Sequence, residues 1–157
     1  MRRRSPFPLV AVVVVAVAVL FLSFVGFMLF GRGDASGSPE EVIRDFYEYE
    51  STGDFGNAWE LFHPEMKKKF SKSNYIQTKN HVFMGHMGVE EFDVEIGKLE
   101  KAERFAFDDE GLVFKDVRKA QVDMFYDSQF GELIVSQPCY VALDKGKWKV
   151  LWNYHFK

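Results

Sequence analysis

Three hydrophobic rhythms follow one another along the chain. From Leu9 to Phe30 the residues read LVAVVVVAVAVLFLSFVGFMLF, 22 positions without a charge, diluted only by Ser23 and Gly26. At about 1.5 Å of rise per residue this run makes a helix of roughly 33 Å, enough to cross a hydrocarbon core of about 30 Å. Amides in lipid need partners inside their own segment, which selects a helix here. Between Ser38 and Gly88 apolar residues recur at helical spacing, and from Phe92 onward they alternate with polar ones.

The helical part is clearly punctuated. In SPEEVIRDFYEYE, Ser38 suits an N-cap, Pro39 the first helical position and Glu41 the capping-box partner. Val42, Phe46 and Tyr49, widened by Ile43 and Tyr47, form the apolar stripe, and Thr52-Gly53 ends it. Asp54 caps a second, shorter helix that buries Phe55, Ala58, Trp59 and Phe62. Pro64 disfavours helical geometry at His63, so the helix stops there. A third helix starts at Ser71 or Ser73, places Tyr75, Ile76, Lys79 and Phe83 near one side, and leaves through Gly85 and Gly88.

Beyond Gly88 the period is two. Phe92, Val94 and Ile96 alternate with acids, and a phase slip across Gly97 to Leu99 predicts a bulge. Ala120, Val122, Met124 and Tyr126 form the apolar face of a long strand. A further strand holds Leu133, Val135, Cys139, Val141 and Leu143 in phase, with Pro138 at an edge or bend. Trp148, Val150, Trp152, Tyr154 and Phe156 share one face of the last. Turns fall at residues 108–111, 127–131 and 144–146. Three helices followed by four hairpin-connected strands make an α+β domain with a curved four-stranded antiparallel sheet wrapped on the helices. The domain organisation is a cytoplasmic tip and membrane segment over 1–30, a tether over 31–37 and the folded domain over 38–157.

Charge sets topology and excludes one class of partner. Arg2, Arg3 and Arg4 precede the apolar run, whereas Arg32 and Asp34 largely cancel after it, so the C-terminal domain is expected outside the cytoplasmic membrane. A cleaved signal peptide is the alternative; its apolar core is usually about 7–15 residues, shorter than this run. Without the three N-terminal arginines, 17 basic face 23 acidic side chains, a net charge of −6. That balance argues against nucleic acid, which needs a basic footprint. The sole cysteine, Cys139, rules out an internal disulfide, so folding rests on the apolar core.

The helix–strand order, FYEYESTGDFGNAWELFHP over 46–64 and the ending GKWKVLWNYHF over 146–156 resemble the nuclear transport factor 2-like superfamily, a cone-shaped fold. Within it the nearest likeness is to the extracytoplasmic N-terminal module of penicillin-binding transpeptidases, which follows a membrane anchor and ends in a Trp-x-x-x-Trp strand, here Trp148 and Trp152. The resemblance spans 38–156. It implies a binding or scaffolding module without the transpeptidase's catalysis, since the sequence stops at Lys157. A weaker likeness is to bitopic assembly components of type IV secretion machines.

Some relatives are isomerases or dehydratases that project an Asp or His into the cone, and such a group needs a dry site and a substrate within reach. Asp93, Asp123 and His155 all fall opposite apolar positions, so no ionisable group is expected inside the hollow. His63 reads as a helix-end residue bonding free carbonyls at the negative end of the dipole. His81 and His86 lack carboxylate or cysteine companions at ligand spacing, so neither metal nor cofactor is expected. Lys67, Lys68, Lys69 and Lys72 read as a solvated loop. If a ligand pocket exists, Trp59, His63, Tyr126, Tyr140 and Trp152 are the residues to line it. The expectation is a non-enzymatic module of the bacterial cell envelope whose partner is a protein or envelope component, with a homodimer through the outer sheet face to be tested. The alternatives are a small enzyme using Asp123, His63 or Tyr140, and an assembly component of a secretion machine.

Overall fold

The computed structural model describes residues 37–107 and 112–152. The membrane segment, most of the tether, the 108–111 turn, Tyr154, His155 and Phe156 therefore lie outside the described residues. Among those described, no helix is long and apolar enough to cross a membrane.

The fold is α+β, with several helices preceding an antiparallel sheet. Helix α1 (Pro39–Ser51) starts as its sequence dictates: the Glu41 amide donates to Ser38 Oγ at 3.1 Å and the Ser38 amide to Glu41 Oε2 at 2.7 Å. Helix α2 (Phe55–Glu60) is capped by Asp54, which accepts from the Asn57 amide at 3.1 Å.

A short helix α3 (Pro64–Lys69) then replaces the expected lysine loop. Pro64, which stops α2, has no amide hydrogen and a fixed φ, so it opens the next helix at no cost. Lys67, Lys68 and Lys69 occupy its last turn, where the helix dipole favours cations. Helix α4 (Lys72–Asn80), capped by Ser71, runs into a π-helical segment (His81–Met87) that closes at left-handed Gly88, φ +68°.

Among the described residues five strands follow instead of four: β1 (Asp93–Ile96), β2 (Glu100–Ala106), β3 (Val113–Ser128), β4 (Gly131–Asp144) and β5 (Lys147–Trp152). The extra strand comes from the phase slip at Gly97. It is a full break, and β1 and β2 pair successively with the same edge of β3, Ile96 opposite Val122 and Glu100 opposite Lys119. Gly97 itself donates to the Gln121 carbonyl at 2.8 Å, and a Cβ there would come within 3.2 Å of that oxygen. Order across the sheet is β1/β2–β3–β4–β5. The α2–α3 junction extends it further: His63 N–H donates to Val150 O at 2.8 Å and Val150 N–H to Leu61 O at 2.9 Å.

The main core lies between the helices and one face of the sheet. Ile43, Phe46, Tyr47, Phe62, Met66 and Tyr75 meet Ala120, Val122, Met124, Tyr126, Cys139, Val141 and Val150, as the alternation predicts. The strand ends depart from it. Leu133, Val135 and Leu143 are exposed, although Leu133 and Val135 lie opposite the buried Tyr126 and Met124 of β3.

A second apolar cluster lies on the opposite face, where Val117, Ala142 and Leu151 are buried with Ala102 and Phe105. Asp116, at φ +57°, interrupts the alternation of β3, and Phe114 joins Val117 in this cluster although three positions away. The sheet is curled. Phe114 of β3 packs on His63 at 4.9 Å between ring centres, although β4 and β5 intervene in strand order.

Candidate functional site: the domain interior and its rim

Glu50 falls four residues after Phe46 and three after Tyr47, so the stripe of α1 carries it into the core, where it is 1 % exposed. Helix α4 brings Tyr75 and Lys79 to the same point by their own i, i+4 spacing. Tyr75 Oη donates to Glu50 Oε1, and the Lys79 ammonium, 7 % exposed, pairs with Oε2. The expectation of an interior without ionisable groups is thus overturned. What occupies it is a closed knot: both carboxylate oxygens have donors, and the ammonium lies over Trp152 at 4.8 Å and Phe83 at 4.9 Å.

Burial raises the Glu50 carboxyl above its ordinary range, and Lys79 pulls it back by charge and by hydrogen bonding. The same dry surroundings push the Tyr47 and Tyr126 hydroxyls up and the Cys139 thiol to about 12. Cys139 therefore stays a thiol and packs as a small apolar residue. Among the described residues, every buried side-chain nitrogen and oxygen has a hydrogen-bond partner.

The five residues expected around a pocket do not converge. Tyr126 and Trp152 belong to the main core: Tyr126 stacks with Phe83 at 5.2 Å and donates to Met124 Sδ at 3.2 Å, while Trp152 stacks on Phe62 at 6.3 Å. Trp59 sits at the rim, donating Nε1–H to the Phe70 carbonyl at 2.9 Å with Lys67 over its ring. Tyr140 faces the other side of the sheet, against Phe105 at 4.8 Å, because its neighbours Cys139 and Val141 hold the helix-facing positions. His63 lies at the curled edge beside Phe114.

His63 keeps a structural role, but at the opposite helix end from that expected. It is the N-cap of α3, accepting the Glu65 amide on Nδ1 at 3.2 Å. That contact requires a lone pair on Nδ1, and burial lowers the imidazole pKa, so both favour the neutral ring. Of the acids weighed for catalysis, Asp93 is exposed and Asp123 half-buried, opposite the helix-facing Val122 and Met124.

The β3–β4 hairpin exposes Phe130 (75 %) and Ile134 (64 %) together with Leu133 and Val135. On the π-helical segment, the exposed imidazoles of His81 and His86 meet, Nε2 to Nε2, at 2.9 Å. The interior knot was half legible, since Lys79 reads on the apolar side of its helix; Glu50 was missed because a charged residue within a stripe is passed over. Neither a protein-family model nor any curated protein matches the chain.

Proposed function

We propose that residues 38–157 form a cone-shaped module of the nuclear transport factor 2-like kind. In this reading residues 9–30 hold it at the outer side of a bacterial cytoplasmic membrane, and it binds or scaffolds an envelope component rather than catalysing a reaction. The observation that carries the non-enzymatic part is the Glu50–Tyr75–Lys79 knot. A catalytic acid or base needs an open approach and a partner reserved for substrate; here the one deeply buried carboxylate among the described residues is already satisfied on both oxygens by the protein. The curl of the sheet, which brings Phe114 to His63, supports the cone. The apolar residues exposed on the β3–β4 hairpin support a contact role, because exposed apolar surface is commonly an interaction surface; Leu133 and Val135 share one face of β4 and Ile134 takes the other.

The test combines fractionation with cross-linking in intact bacterial cells. The full chain is expected in the membrane fraction, with its C-terminal domain open to external protease, and removal of residues 1–30 is expected to release a folded domain. A photo-cross-linker at Ile134 is expected to give a discrete adduct that one at Glu103 does not. A full chain found soluble in the cytoplasm overturns the topology, and identical adducts from both positions remove the hairpin from the reading.

A further inference from the structure

We infer that His81 and His86 form a two-imidazole site for a divalent transition metal, with Cu²⁺ and Ni²⁺ fitting best. The backbone is the reason these side chains meet. On an α-helix, residues five apart point in different directions, whereas a π-helical turn, closed by i→i+5 bonds, stacks them. Residues His81–Met87 form such a turn, and it brings the two rings to 4.3 Å between centres. The far end of the turn is pinned by β3–β4: Gln129 Nε2 donates to the His86 carbonyl at 2.6 Å and the Gln129 amide to the Met87 carbonyl at 2.9 Å. The site is therefore held by contacts with the rest of the domain and does not depend on a mobile loop.

The separation lets both rings reach one ion, and the order of affinities for imidazole favours Cu²⁺ and Ni²⁺. Two nitrogens each about 2.0–2.1 Å from one ion lie roughly 2.9 Å apart at a right-angle bite and roughly 3.3 Å apart at a tetrahedral one. The observed Nε2···Nε2 distance of 2.9 Å matches the right angle. Square-planar and tetragonal sites of nitrogen and oxygen ligands are characteristic of Cu²⁺ and Ni²⁺, which also stand above Zn²⁺ or level with it in affinity for imidazole. Without metal, one ring must donate its Nε2 proton to the other; a divalent ion replaces that shared proton and takes both lone pairs. Among the described residues no group of three or more His, Cys, Asp or Glu converges, so the remaining coordination positions go to water or to a donor from outside the domain. An exposed two-ligand site of this kind binds reversibly.

The experiment is a Cu²⁺ titration of the full chain in mild detergent, read by electron paramagnetic resonance for nitrogen coupling. One reversibly bound copper with two equatorial imidazole nitrogens is expected. His81→Ala and His86→Gln are each expected to weaken that copper by at least about tenfold, since even outer-shell losses cost that much. His63→Asn, which keeps a capping acceptor away from the site, is expected to leave it unchanged. Both histidines are exposed, and unchanged circular dichroism spectra verify that the variants fold. Copper held with unchanged affinity in both variants, or a spectrum without imidazole nitrogen, overturns the assignment.

Discussion

Glu50 and Glu60 lie on successive helices and each is held by lysine, yet burial gives the two sites opposite physics. Glu60 stands in solvent, its side chain 53 % exposed, with Lys67 at 3.1 Å and Lys72 at 2.7 Å. Hydrogen bonds from Lys72 and then Lys67 lower its pKa. Glu50 has one lysine and a tyrosine, and its pKa moves the other way, because loss of water outweighs the attraction of Lys79. In water a lysine makes a carboxylate easier to ionise. In the core the same partner only offsets part of the cost of dehydration, and the pair gains its meaning from what happens when half of it is removed.

The largest effect expected from breaking this contrast is inside. Lys79→Met leaves a carboxylate buried without its counter-charge and should cost about 3–5 kcal/mol of unfolding free energy in urea denaturation. Replacing the whole knot, Glu50→Met with Lys79→Met and Tyr75→Phe, removes every polar group together and should recover most of that loss. The pair would then act mainly to fix the register of α4 on α1, a role that replacement with apolar groups of similar volume leaves thermodynamically near neutral.

Next in size is the His63 cap. His63→Ala should cost about 1 kcal/mol, and His63→Asn, which retains an acceptor for the Glu65 amide, should cost less. The titration has a definite sign. The folded-state pKa of His63 is lowered, so the unfolded chain takes up this proton first, and stability falls as pH drops below about 6.5 towards the folded value. His63→Asn should flatten that part of the stability–pH curve. Glu50 has the opposite sign: its contribution is fully present below the unfolded carboxylate pKa and is lost as pH rises through the raised folded value. The smallest effect is outside. Glu60→Ala should change stability by less than about 1 kcal/mol, and by less again in high salt, in the same denaturation assay.

How far the sequence speaks for these regions depends on whether a local period survives. The Ser38 capping box, the Asp54 cap and the alternating face Ala120, Val122, Met124 and Tyr126 all stand in the structure where their spacing puts them. Lys79 could be read on the apolar side of its helix, but its partner could not, because Glu50 occupies a stripe position that only an interior counter-charge makes tenable. The second cluster is hidden for a different reason: the left-handed residue at Asp116 breaks the alternation that would have announced Phe114 and Val117 on one side. The meeting of His81 and His86 depends on a π-helical turn, and no helical stripe of period 3.6 anticipates a contact at five residues. Tyr140 shows the cost of choosing pocket residues by type, since parity with Cys139 already places it on the other face.

The central claim is that the buried carboxylate is closed off by its neighbours and serves the fold. A double-mutant cycle on Glu50→Gln and Lys79→Met, with unfolding free energies from urea denaturation of the full chain in mild detergent, tests it most directly. The account predicts that each single substitution is destabilising and that the double substitution costs less than their sum by well over about 0.5 kcal/mol, the ordinary limit of additivity. Additive effects, or single variants more stable than the parent, would mean that the two side chains face open space and are kept for chemistry, and would contradict it.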